Sequence, residues 1–167
     1  MKKSYYCIIS ILILMFAGCS SKEDIIDKAQ EELPYEVLVP KYLPNGLGLS
    51  SMSSLSLEDE FLELRYESED IQTYFRFSQQ PNRRSNPNPE NIIKNVEKGI
   101  DPYGTTPDTE LLVIGDFVGQ FRRNGDTISY EFFMNIPNLE IEEYTRYEFY
   151  SVGLSEEDIH KVISSLK

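Results

Sequence analysis

In the segment DTISYEFFMNI, residues 126–136, Ile128, Tyr130, Phe132, Met134 and Ile136 alternate with Thr127, Ser129, Glu131, Phe133 and Asn135. A helix gathers residues three and four apart on one face. A period of two instead predicts a strand with one dry face and one wet face. Phe133 is the only large apolar residue on the polar side. A strand of this kind needs partners, and antiparallel pairing is the arrangement that leaves one face of a sheet in water.

The same period recurs on both sides. EFLELRYE (60–67) sets Leu62, Leu64 and Tyr66 against Glu63 and Arg65. IQTYFRFS (71–78) predicts Ile71, Phe75 and Phe77 on one face and Gln72, Tyr74 and Arg76 on the other. EYTRYEFYSV (143–152) sets Tyr147 and Phe149 against Arg146 and Glu148. RRNGDT (122–127) joins two strand-like runs, and Asn124-Gly125 predicts a type I′ hairpin, whose two central positions both need positive φ. SQQPNRRSNPNPEN (78–91) and KGIDPYGTTPDT (98–109) are rich in Pro, Asn and Gly and predict loops.

Two segments switch to a helical period. NPENIIKNVEKG (88–99) carries Pro89 at its start, Ile92, Ile93 and Val96 on one side and Gly99 as a stop. LSEEDIHKVISSLK (154–167) has Ser155 as a cap, Asp158 three residues on, and an apolar stripe of Ile159, Val162, Ile163 and Leu166. The stripe is expected to pack on the dry face of the sheet. The predicted class is α+β: an antiparallel sheet of about five to seven strands, a C-terminal helix on one face and a second short helix in the middle.

The chain has 167 residues, enough for one domain of ordinary size, and 40% of them are hydrophobic. It carries eleven Tyr and nine Phe but no Trp, and its formal charge is −12. Such acidity repels nucleic acid and anionic headgroups, and it also serves simply to keep a protein soluble.

The N-terminus reads differently. MKKSYY is a short positive region, CIISILILMFA an apolar run too short to span a bilayer, and Ala17 and Gly18 then precede Cys19. This resembles the lipobox of bacterial lipoprotein precursors. That resemblance implies a lipid, palmitate-like, on the Cys19 thiol and signal cleavage between Gly18 and Cys19. It also implies a signal peptide over 1–18, a lipidated N-terminus and tether over 19–34, and an extracytoplasmic domain over 35–167. Loss of Lys2 and Lys3 would take the charge to −12 − 2 = −14. The chain has two cysteines, Cys7 in the apolar run and Cys19. With one removed and the other alkylated, no thiol is left for a disulfide or a metal. SSKEDIIDKAQEELP (20–34) is expected to be a short helix or a loose tether, lifting the domain off the membrane.

VPKYLPNGLGL opens the folded region and YSVGLSEEDIHKVISSL closes it. The pairing looks like an extracytoplasmic domain of unknown function found in Gram-positive bacteria, in lipoproteins and behind the transmembrane helix of anti-sigma factors. The matching residues are Pro40, Tyr42, Leu43, Pro44 and Gly46 at the start, VIGDFVGQF in the middle, and Leu154, Ser155, Glu156 and Glu157 at the end. The family usually has Tyr after the opening Gly and often a late Trp, where this chain has Leu47 and no Trp. The resemblance brings no catalytic residue.

The residues themselves suggest no reaction. His160 is the only histidine and stands at the edge of the apolar stripe, without a second His for a metal site. LEDE (57–60) and EIEE (140–143) are acidic clusters beside turns, without the Asp-x-Asp-x-Asp-Gly pattern of a calcium loop. A P-loop, a dinucleotide-binding Gly pattern and a G-x-S-x-G elbow are all missing from the sequence. NRR (82–84) and Arg122-Arg123 are basic spots in an acidic chain, able to meet a carboxylate or phosphate, though polar loop tips are common. Tyr74, Phe133, Tyr144 and Tyr150 fall opposite the apparent core. They suit an interaction surface, or else both sheet faces are partly covered. The expected function is a membrane-anchored, non-catalytic interaction or sensory module of the cell envelope. It would be held by its lipid, use no other cofactor or metal, and contact an envelope protein. The alternative is a carrier of a lipid or other apolar ligand between sheet and helices.

Overall fold

The computed structural model describes residues 24–83, 90, 91, 94, 109–136, 139, 140 and 143–167. Eight strands form one antiparallel sheet. They are β1 (Gly48–Leu49), β2 (Ser54–Ser56), β3 (Phe61–Glu67), β4 (Tyr74–Pro81), β5 (Thr109–Ile114), β6 (Phe117–Asn124), β7 (Thr127–Met134) and β8 (Thr145–Val152). Two helices lie wholly among the described residues, α1 (Asp24–Glu32) and α2 (Glu156–Ser164). The α+β class stands. The strand count passes seven because the very short β1 and β2 share the outer edge of β3.

The sheet order is β1-β3-β4-β8-β7-β6-β5, so the last strand enters the middle between β4 and β7. Its register aligns the dry positions strand by strand. Leu64, Phe77, Phe149, Tyr130 and Phe121 make one row, and Leu62, Gln79, Tyr147 and Phe132 the next. Rings fill this inner face. Tyr130 and Phe132 stack at 4.6 Å, Phe75 and Phe149 at 5.0 Å, and Phe132 and Tyr147 at 5.4 Å. Over the rings lie Ile159, Val162 and Ile163 of α2, Ala29 of α1, and Val37 and Leu38 of the chain that follows α1. The N-terminal segment is therefore helical from Asp24, and Ala29 and Leu33 join the core.

Backbone pairing seals the ends of the chain together. Val39 and Lys167 exchange hydrogen bonds at 3.0 and 3.3 Å. Ser165 Oγ accepts from the backbone N–H of Lys41 and Tyr42 at 3.1 and 2.9 Å. The opening and closing motifs of the sequence thus form one junction.

Three local expectations change. Ile71 does not lie with Phe75 and Phe77. It sits in the β3–β4 turn at φ +59° and is 54% exposed, because β4 starts only at Tyr74. The loop expected from Ser78 starts later, since β4 runs to Pro81, two residues beyond its last pair with β3 at Gln79. The 122–127 hairpin turns on Gly125-Asp126, with Asn124 paired to Thr127. Only Gly125 of the two has positive φ, +59°, the pattern of type II′ and not type I′. Finally, Glu90, Asn91 and Lys94 are helical, but the rest of the middle helix expected over 88–99 lies outside the described residues. So do the N-terminal segment with Gly18 and Cys19, and positions 98–108 of the second loop.

Candidate functional site

The outer sheet face is built from the polar halves of β3, β4, β8, β7 and β6. Register sets Arg65, Arg76, Tyr150, Ser129 and Arg122 in one cross-strand row. The adjacent row holds Glu63, Ser78, Glu148, Glu131 and Gln120. Like charges thus fall directly opposite each other twice, which is unfavourable unless something intervenes. Each clash has a remedy. Arg65 and Arg76 lie over tyrosine rings, Arg65 at 4.4 Å from the Tyr74 centroid and Arg76 at 4.7 Å from that of Tyr150. The two rings are 6.3 Å apart. Glu131 and Glu148 both take Arg146, at 2.9 and 2.5 Å.

A groove of about 300 Å³ opens here, lined by Arg76, Gln120, Arg122, Ser129, Arg146 and Tyr150. Ser129 is the small residue in its row and leaves the depression between Tyr150 and Arg122. Glu131 and Glu148 form part of the wall. The arginines differ in what holds them. Arg146 is ion-paired to both glutamates. Arg76 reaches Glu63 only at 3.8 Å, and its Nε is buried without a hydrogen-bond partner. Arg122 donates to the neutral amide oxygen of Gln120 at 2.8 Å. Among the described residues, Ser129 Oγ and Tyr150 Oη have no hydrogen-bond partner either.

Of the four aromatics expected on an interaction surface, Tyr74 and Tyr150 are half-buried on this face. Phe133 and Tyr144 are not available to a partner. They are buried with Val118 in a second small core on the outer side, against Leu111 and Leu139. Tyr144 reaches back to donate to the Ile136 carbonyl at 2.7 Å, and burial raises its pKa, with Glu90 nearby adding to the effect. Leu139 and Tyr144, between β7 and β8, thus cover one end of the face and leave the arginine groove open at the other.

The remaining candidates do not converge. His160 is half-buried on α2. Glu58, Asp59 and Glu60 are exposed in the β2–β3 turn, and Glu140 and Glu143 are exposed beside the second core. Arg123 points to the inner-face edge and pairs with Glu156 in the first turn of α2. Arg83 is exposed, and Arg84 lies outside the described residues. Among the described residues no three His, Cys, Asp or Glu side chains are grouped to hold a metal ion. Glu131 and Glu148 are neighbours on adjacent strands under one arginine, whereas a glycosidase pair stands on opposite sides of a bound sugar. Sequence reasoning passed over Arg76, Ser129 and Arg146 as polar strand positions and met Gln120 only within the motif VIGDFVGQF. Their only signal was the alternation itself, which gives the face but not the neighbour.

In comparisons with known proteins, no family model, no curated protein and no solved structure matches this chain. The family resemblance therefore rests on its short motifs alone.

Proposed function

We propose that this protein is a lipid-anchored extracytoplasmic module that binds a partner through the outer face of its sheet and catalyses no reaction. One observation carries the proposal. The inner face is filled with stacked rings and helix side chains, while the outer face presents Tyr74, Tyr150 and an arginine groove to solvent. Tyrosine and arginine are the residues most enriched where proteins meet partners. The apparatus of a carrier would instead need room between sheet and helices, where Phe77, Phe132, Tyr147, Ile159 and Ile163 are packed. Anchoring follows from the Ala17-Gly18-Cys19 signal.

Two measurements test it. Cys19→Ser is expected to move the protein from the membrane to the soluble fraction, and a variant that stays in the membrane contradicts the anchor. Residues 22–167, secreted and purified without detergent, are expected to carry no stoichiometric lipid by mass spectrometry. A bound lipid at one per chain contradicts the interaction module and restores the carrier.

A further inference from the structure

The outer groove concentrates hydrogen-bond donors that the protein itself does not satisfy. Arg76 Nε is buried without an acceptor. Ser129 Oγ and Tyr150 Oη have no partner among the described residues, and Arg122 meets only a neutral amide oxygen. Buried polar groups in native proteins are nearly always paired, so Arg76 Nε is an unsatisfied donor beneath the groove, and a ligand would meet the exposed part of the same side chain. All four groups can donate, and two of them are cationic. An oxyanion complements that set.

We infer that the groove binds a carboxylate, presented by an acidic side chain of a protein partner, between Arg76 and Arg122 and over Ser129. The inference rests on the outer face being the contact surface and names the chemistry it recognises. Charge favours the carboxylate over a phosphate. Arg76, Arg122 and Arg146 face Glu131 and Glu148 in the lining, and Glu63 stands 3.8 Å from Arg76, so three cations already meet three carboxylates. Each further negative charge on a ligand adds repulsion, and a monoanion meets less of it than a phosphate dianion. The groove volume of about 300 Å³ is at the small end for a binding site and matches one side chain better than an extended ligand. Tyr150, clamped under Arg76, supplies a stiff wall and a hydroxyl donor.

The test is a titration of the full-length, isotope-labelled chain in non-ionic detergent, followed by amide NMR. The probes are a capped glutamate peptide, its glutamine counterpart and inorganic phosphate. The glutamate peptide is expected to shift the Arg76, Arg122, Ser129 and Tyr150 resonances saturably, with the glutamine peptide at least about tenfold weaker, as loss of a charge-assisted hydrogen bond implies. Arg122→Gln, an exposed position, is expected to weaken the glutamate peptide about tenfold and leave the rest of the spectrum in place. Equal binding of the two peptides, no saturable shift, tighter binding of phosphate, or an unchanged affinity in Arg122→Gln would each overturn the inference. Cross-linking of an envelope partner from this same face separates the two levels. A partner captured there without carboxylate binding retains the contact surface and removes the carboxylate. No partner from that face removes the contact surface itself.

Discussion

Gln79 lies on the inner face of β4 with none of its surface exposed. Its amide donates to the Leu38 carbonyl and accepts from the Leu38 N–H, both at 2.8 Å. One side chain thereby does for the segment after α1 what a neighbouring strand would do. Gln79→Leu keeps the volume and leaves two buried backbone groups without partners, so it is expected to destabilise the fold by about 3 kcal/mol. Urea unfolding checks this, and a loss under about 1 kcal/mol would show that water replaces the amide. Gln79 also shows where sequence reasoning ends at this scale. It falls in a stretch rich in Gln, Pro and Asn that predicts a loop, and its partner is 41 residues away. Phe133 is similar. Its place on the wet side was legible, but its burial depends on Val118 arriving from β6 and Tyr144 from just before β8. Ile71 was misplaced because a turn at φ +59°, rare for a β-branched residue, interrupts the alternation just before β4.

At the scale of elements, α2 was legible to its cap. Ser155 Oγ accepts from the Asp158 N–H at 3.1 Å, and Ile159, Val162 and Ile163 are buried as the stripe requires. Strands β3, β7 and β8 were legible because each has one dry face, which makes the period visible. Their order was not, since nothing local tells the last strand to enter the middle of the sheet. The dock between α2 and the opening motif was suggested only by their joint occurrence, and one hydroxyl makes three of its hydrogen bonds, beside the backbone pairing and the Tyr42 Oη–Asp158 Oδ1 bond. Ser165 Oγ accepts from Lys41 and Tyr42 and donates to the Val162 carbonyl at 2.7 Å. Ser165→Ala is expected to cost about 1–2 kcal/mol and to speed hydrogen exchange at the Tyr42 amide. An unchanged exchange rate there would mean that the Lys41–Ser165 and Val39–Lys167 backbone bonds hold the junction unaided. At the candidate site, the strand alternation gave the outer face. It did not give the row of Arg76, Tyr150, Ser129 and Arg122, because neighbours in a sheet are a property of strand order.

At the scale of the whole molecule, the ring-filled core has a consequence in alkali. Burial raises the pKa of Tyr66, Tyr130 and Tyr147, the last to about 12 from an ordinary 10.0. The folded state holds these protons more tightly than the unfolded chain does. Their contribution is therefore complete below the unfolded value and is lost as pH rises from there through the folded-state values. Three such groups give a fall of about 4 kcal/mol per pH unit above about pH 10. The urea midpoint is expected to drop steeply there, with tyrosinate absorbance appearing together with unfolding. Ionisation of these tyrosines in a chain that stays folded would contradict the burial. The same packed core turns attention to the other side of the sheet, and the central proposal is that a partner meets that side. A photoreactive phenylalanine analogue at Tyr74, on the outer face, and another at exposed Lys161 on α2 compare the two sides of the molecule in the cells that make the protein. A specific envelope-protein adduct from position 74, and none from 161, is the expected result. Adducts from 161 alone, or from neither position, would contradict it.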